Sequence, residues 1–238
     1  MIRSSKDWRA AFSVYRNTRV ISMVFLGFSA GLPFLLVFST LSAWLRAEDV
    51  DRAAIGFFSW IGITYSIKVF WAPIVDRVPL PFLTRYLGRR RGWMLLAMIG
   101  IAAGLLGMAG TEPSSDLSRL VLCALLVAFS SATQDISIDA YRIEAVSHEL
   151  QGAMAATYQL GYRMALLVAG GGALLLADAV NWSITYVFLS SLTIIGIATV
   201  LVIDEPETSE VLAPPVGGIK DWVSIALVNP FVDFFSRN

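Results

Sequence analysis

Six stretches of the chain are apolar over lengths suited to membrane-spanning helices: Val20–Trp44, Ala53–Val75, Trp93–Ala109, Leu117–Ala145, Ala153–Ala177 and Ser183–Ile203. A helix needs about 20 mostly apolar residues to cross the hydrocarbon core. Short polar connections separate them, so the pattern predicts a bundle of six helices. The fourth stretch is apolar for its first two-thirds and then turns mixed, reading Ser131-Ala-Thr-Gln-Asp-Ile-Ser-Ile-Asp-Ala-Tyr-Arg-Ile-Glu144. The fifth holds Gly161-Tyr-Arg163. An ionised side chain at the centre of a spanning helix costs about 2.5–3.5 kcal/mol on insertion scales. Asp135, Asp139, Arg142 and Arg163 are therefore expected to face the bundle interior or a wet cavity, with partners.

The basic residues set a direction. Arg3, Lys6, Arg9, Arg16 and Arg19 precede the first span, and Arg77, Arg85, Arg89, Arg90 and Arg91 fill the second connection. The first, third and fifth connections together hold only Arg46, Arg52 and Arg119. Cytoplasmic loops carry the excess of Lys and Arg, so both termini are expected in the cytoplasm. Trp44, Trp71, Trp93 and Trp182 fall near span ends, where an aromatic belt would place them.

Composition agrees with a membrane protein. The chain is 56% hydrophobic and 15% charged with a mean hydropathy of +0.68, against about 45–50% and about 25% in soluble domains. Formal net charge is zero, which gives no hint of nucleic acid. One cysteine, Cys123, and one histidine, His148, lie far apart. They form no metal-ligand cluster, and no Ser–His arrangement lies within the helices, so neither a metal, a cofactor nor catalysis is expected.

Three regions follow. Residues 1–19 place Trp8, Ala11, Phe12 and Tyr15 at helical spacing among basic residues, as an interfacial helix would. Residues 20–203 are the six-helix bundle. Residues 204–238, with Asp204-Glu-Pro-Glu207, Pro214-Pro215 and Gly217-Gly218, read as a cytoplasmic loop leading to a missing C-terminal half.

Depth brings some charges together. Counted at 1.5 Å per residue along straight helices, Asp135 lies about 15 Å from the cytoplasmic end of the fourth helix. Arg163 lies at about the same height on the fifth. Asp135 is thus expected to pair with Arg163, and Asp139, lower down, with Lys68. Asp135, Asp139 and Arg142 fall on one helical face. Burial disfavours a charged carboxylate and a nearby cation favours it, so such a pair suits proton exchange. A static ion pair pinning two helices is the other reading. Arg142 and Glu144 are expected at the interface with water.

In the first helix, Gly27-Phe-Ser-Ala-Gly31-Leu-Pro33 allows close helix approach and removes one backbone hydrogen bond near mid-depth. Gly31, Pro33, Gln134, Tyr141 and Tyr162 are the expected cavity residues. Asp76-Arg77 ends the second helix, and Gly88-Arg89-Arg90-Arg91 opens the third. Such a loop can clamp helix ends through Arg–carboxylate contacts that must break on opening.

That loop resembles a stretched form of the Gly-x-x-x-Asp-Arg-x-Gly-Arg-Arg signature of the major facilitator superfamily, with Ala72 in place of the first glycine. Further stretches are Phe25–Pro33, Lys68-Val-Phe-Trp-Ala-Pro73, Gly88–Trp93, Ala132–Arg142 and Asn229–Arg237. Together they resemble the AmpG-type muropeptide permeases across essentially the whole chain. The resemblance implies an N-terminal six-helix half of a facilitator fold in the inner membrane of Gram-negative bacteria. It implies import of N-acetylglucosaminyl-1,6-anhydro-N-acetylmuramyl sugars, with or without peptide, driven by protons. It also implies a place in peptidoglycan recycling and β-lactamase induction. The expected partners are the muropeptide, protons, the bilayer and a C-terminal six-helix half.

Two other functions stay open at this point. Eukaryotic acetyl-CoA transporters are distantly similar around the fourth helix, which leaves another anionic solute such as an acyl-CoA, held by Arg163 and Lys68. A non-transporting membrane scaffold would use the same charged pairs structurally.

Overall fold

The computed structural model describes residues 13–207 and Ser236. The expectations for an interfacial helix before residue 13 and for the loop beyond residue 207 lie outside the described residues. Among those residues the chain is helical with no strand, and six helices are long and apolar enough to cross a membrane. We label them α1 (Thr18–Ala47), α2 (Arg52–Phe70), α3 (Arg89–Ala109), α4 (Leu117–Glu144), α5 (His148–Ala179) and α6 (Trp182–Val202). Connections are short, so consecutive helices run in alternating directions. One end of the bundle, the basic end, gathers Arg77, Arg89–Arg91, Arg142 and His148.

Close backbone contact explains several glycines. A methyl group added at Gly161 of α5 would run into the carbonyl of Val24 on α1, and one at Gly27 would meet the carbonyl of Tyr158. At Gly31 it would lie 2.6 Å from the Tyr162 carbonyl oxygen. Absent side chains let α1 and α5 lie backbone to backbone, the small-residue packing that membranes favour where the hydrophobic effect cannot drive association. Gly104 and Gly107 of α3 make room for the Val127 and Cys123 side chains of α4.

Two helices are broken toward the end opposite the basic one, and each break has a replacement hydrogen bond. Pro33 sits inside the first helical segment of α1, which continues to Val37 before Phe38 leaves helical geometry (φ −116°, ψ −98°). The freed Leu36 carbonyl accepts from the buried Tyr186 hydroxyl of α6 at 2.8 Å. In α5 the glycine-rich run Val168–Gly172 is a π-turn, and its Ala169 carbonyl accepts from Thr40 Oγ1 at 2.7 Å. Membrane helices tolerate such interruptions only when neighbours satisfy the released groups.

Trp44 departs from the expected interfacial belt. It is 2% exposed and packs against Trp182 (ring centroids 6.1 Å) and Tyr186 (4.8 Å). The inward turn of α1 after Phe38 carries this indole into the core.

The helices differ in how much of themselves they bury. Two-thirds of the apolar stretch of α1 is buried (67%), but only 12% of that of α2 and 22% of that of α5. Trp60, Ile63, Ile67 and Phe70 of α2 and Leu160, Met164 and Leu167 of α5 are exposed.

Candidate functional site

Lys68 of α2 and Asp135 of α4 meet between the two helices. Lys68 Nζ lies 3.6 Å from Asp135 Oδ2, with side chains 35% and 21% exposed. The register of α2 on α4 produces this contact. Just past α2, Trp71 donates its indole N–H to Thr133 Oγ1 (3.2 Å) and packs on Phe129 with ring centroids 4.8 Å apart. Thr133 in turn donates to the Phe129 carbonyl at 2.8 Å. With Trp71 held there, Lys68 lies one turn back, beside Asp135.

This corrects both expected pairings. Asp135 pairs with Lys68, not with Arg163. Asp139 pairs with Arg142 of its own helix at 3.3 Å, not with Lys68. Counting residues along straight helices misplaced Lys68 because α2 alternates α and 3-10 turns over Ser59–Phe70, and a 3-10 turn rises about 2.0 Å per residue rather than 1.5. Arg163 is exposed on α5 and forms no ion pair among the described residues.

The five expected cavity residues divide. Tyr162 is half-buried, forms a tilted ring pair with Tyr158 (centroids 6.0 Å) and stands near Asp135. Gln134 is fully buried instead, donating from Nε2 to Ser29 Oγ at 2.9 Å across α4 and α1. Tyr141 is also fully buried, while Gly31 and Pro33 are buried against neighbouring helices. A one-residue step along a helix turns the side chain by about 100°, so Gln134 points inward where Asp135 borders the open face. Tyr65 of α2, absent from the sequence reading, stands beside Ser131 and near Asp135.

A second charged cluster lies at the basic end. Arg90 donates to Asp76 Oδ1 (2.6 Å) and to both Glu144 oxygens (3.0 and 2.5 Å). Its side chain is only 8% exposed. The guanidinium fork matches carboxylate geometry, so one residue of α3 ties the short helix Ala72–Arg77 that follows α2 to the end of α4. Glu144, expected at the water interface, is the second acid of this cluster. Asp76, Arg90 and Gly88 come together as a unit; Arg77 and Arg89 form no ion pair among the described residues.

Glu205 completes the cluster from the chain that follows α6. Its carboxylate accepts from the backbone N–H groups of Arg90 (2.8 Å) and Arg91 (3.1 Å) at the start of α3. Free N–H groups and the helix dipole favour an anion there. Gly88 has φ +89°, and a side chain at that position would collide with Glu205. Arg91 reaches back to the Val200 and Leu201 carbonyls of α6 at 2.8 and 3.0 Å.

Six apolar helices, a half-open polar pair between α2 and α4 and an Asp–Arg–Gly–Arg connection between α2 and α3 are now in place. The family description of the Major Facilitator Superfamily matches residues 23–238. The chain belongs to the Major Facilitator Superfamily. Within it, the resemblance to AmpG-type permeases holds. The chain is 38% identical over 226 residues to the anhydromuropeptide permease of Escherichia coli (strain K12), covering 94% of this chain and 44% of that protein. It is 34% identical over 226 residues to the AmpG 4 protein of Rickettsia conorii and 36% identical over 228 residues to that of Rickettsia felis. Both matches cover 94% of this chain and 54% of the relative. The chain therefore spans about half the length of the relatives it matches. It is a multi-pass membrane protein of this superfamily.

Proposed function

We propose that this chain forms the N-terminal half of a proton-coupled transporter that carries anhydromuropeptides from periplasm to cytoplasm across a bacterial inner membrane. The observation that carries the coupling is the Lys68–Asp135 pair, which is partly open and shared between two helices. The solute class follows from the similarity to a protein named anhydromuropeptide permease. The positive-inside pattern supports cytoplasmic termini, which makes the basic end the inner end.

Proton coupling works through the pair. Protonating Asp135 removes the charge that holds Lys68, loosening α2 from α4. Deprotonation restores the contact. One proton moved down a membrane potential supplies about 2.3 kcal/mol per 100 mV, comparable to the net worth of one charged hydrogen bond. Asp139, bridged to Arg142 below, is a relay toward the inner side.

The sparsely buried faces of α2 and α5 support a second six-helix half packed against them, with the solute between the two. Tyr162, Lys68 and Asp135 border that space; Gly31, Pro33, Gln134 and Tyr141 hold its wall from behind. At the inner end Arg90 keeps α2, α3 and α4 moving as one body. Arg77 and Arg89 supply gate contacts to the second half.

Uptake of labelled N-acetylglucosaminyl-1,6-anhydro-N-acetylmuramic acid into vesicles bearing the native gene product tests this. Accumulation that an uncoupler abolishes is expected. Uptake indifferent to the uncoupler removes proton coupling, and no uptake by folded protein removes the muropeptide assignment in favour of another anion such as an acyl-CoA.

A further inference from the structure

Arg163 stands at the midpoint of α5, which runs from His148 to Ala179. The side of α5 buried against α1 carries Met154, Thr157, Gly161 and Ala165. Arg163 is two residues from Gly161, about 200° around the helix, and so points away from α1. It is exposed, and Gln159, one turn earlier, is exposed on the same strip.

Among the described residues no acid at this level of the bundle is left for it. Asp135 is engaged by Lys68, Asp139 by Arg142, and Asp76 and Glu144 by Arg90. The other described carboxylates, among them Glu48, Asp116, Asp178 and Glu205, lie at the ends of the bundle. A guanidinium at this depth is costly unless water and an anion accompany it. The exposed strip of α5 therefore presents a permanent cation with an amide beside it and no counter-ion among the described residues, on the sparsely buried side of the bundle.

We propose that Arg163, assisted by Gln159, anchors a carboxylate of the transported solute. The inference rests on the reading that this face borders the solute pathway. A planar guanidinium takes a carboxylate through two parallel hydrogen bonds, and a side-chain amide adds a third donor. Muramic acid supplies the matching group. Its lactyl ether ends in a carboxylate when no peptide is attached, and an attached peptide brings carboxylates of its own. An acidic side chain of the second half is the other source of the same chemistry, and the test separates the two.

The experiment compares the free disaccharide acid with its lactyl methyl ester in vesicles bearing the native gene product. The ester keeps the sugars and removes the charge. The KM ratio of ester to acid is expected to be between about tenfold and a hundredfold, the range for a hydrogen bond to a charged group. In Arg163→Gln the ratio is expected to fall to near one, with Arg163→Lys intermediate. Equilibrium binding of acid and ester to purified protein gives the same ratio for a variant that binds without transporting. A ratio unchanged in Arg163→Gln, whether both ligands weaken equally or neither does, overturns the assignment and points to an acid of the second half. Absence of uptake and binding of either compound by the wild-type protein overturns the functional reading, and this inference falls with it.

Discussion

Lys68 of α2 and Asp135 of α4 face each other at 3.6 Å, and theirs is the only ion pair among the described residues that joins two spanning helices away from the bundle ends. Both side chains keep partial access to the sparsely buried side of the bundle. A pair that exchanges a proton needs a route to water.

Removing one member of that pair leaves the other charge alone. Lys68→Met is expected to lower stability by about 1 kcal/mol, a modest value because both groups retain solvent. Combining it with Asp135→Asn should recover most of that loss without restoring transport. Thermal unfolding in detergent, alongside uptake, reads both effects. A double variant that transports like wild type would mean the pair is structural.

Gly161→Ala places a methyl group against the Val24 carbonyl, where neither backbone can yield. It is expected to destabilise by at least about 3 kcal/mol, the upper range for overpacking, and to reduce folded yield. Gly171→Ala, about 15 Å further along α5 at 1.5 Å per residue, meets open space: nothing lies within 4 Å of the added atom, and near-neutral stability is expected. Comparable unfolding temperatures for the two variants would contradict the backbone packing of α1 on α5.

Arg90 holds two carboxylates with an almost buried guanidinium. Arg90→Met leaves Asp76 and Glu144 facing each other. The expected loss is about 3 kcal/mol, at the low end for a broken buried pair because Asp76 is partly solvated. Glu205→Ala removes the cap on α3 and should cost about 1 kcal/mol. Unfolding midpoints of the two variants check the order of these effects; a larger loss for Glu205→Ala would reverse it.

Tyr186→Phe deletes the donor to the Leu36 carbonyl while keeping the ring. A buried acceptor without a partner costs about 1–3 kcal/mol. Hydrogen exchange of the α1 amides around Phe38 should quicken with the fall in stability, whereas unchanged exchange would mean that water replaces the hydroxyl.

Much of the architecture is legible in the sequence because hydropathy has a length scale the bilayer fixes. All six spans appear within a few residues of their helices, and Gly27 and Gly31 announce a close approach. Gly161, their counterpart, gives no such signal, since one glycine in an apolar run has many explanations. The helix break appears at Phe38, past Pro33, because the end of a helix depends on which neighbour satisfies its carbonyls. The charged residues are legible as a set but not as pairs. Pairing depends on register, and the register of α2 is decided by Trp71 against Phe129 and Thr133 together with 3-10 turns. Glu205 lies in a Pro-containing segment that reads as linker, and nothing local marks it as the cap of a helix more than a hundred residues earlier.

The most direct measurement is transport by Asp135→Asn under two regimes in the same vesicles. One is accumulation of labelled anhydro-disaccharide driven by a proton gradient; the other is exchange of labelled for unlabelled solute with no gradient. The expected result is loss of gradient-driven accumulation with exchange still measurable, since exchange needs the cavity but no net proton movement. Accumulation equal to wild type would contradict a proton-carrying role for Asp135 and reduce its contact with Lys68 to a structural tie.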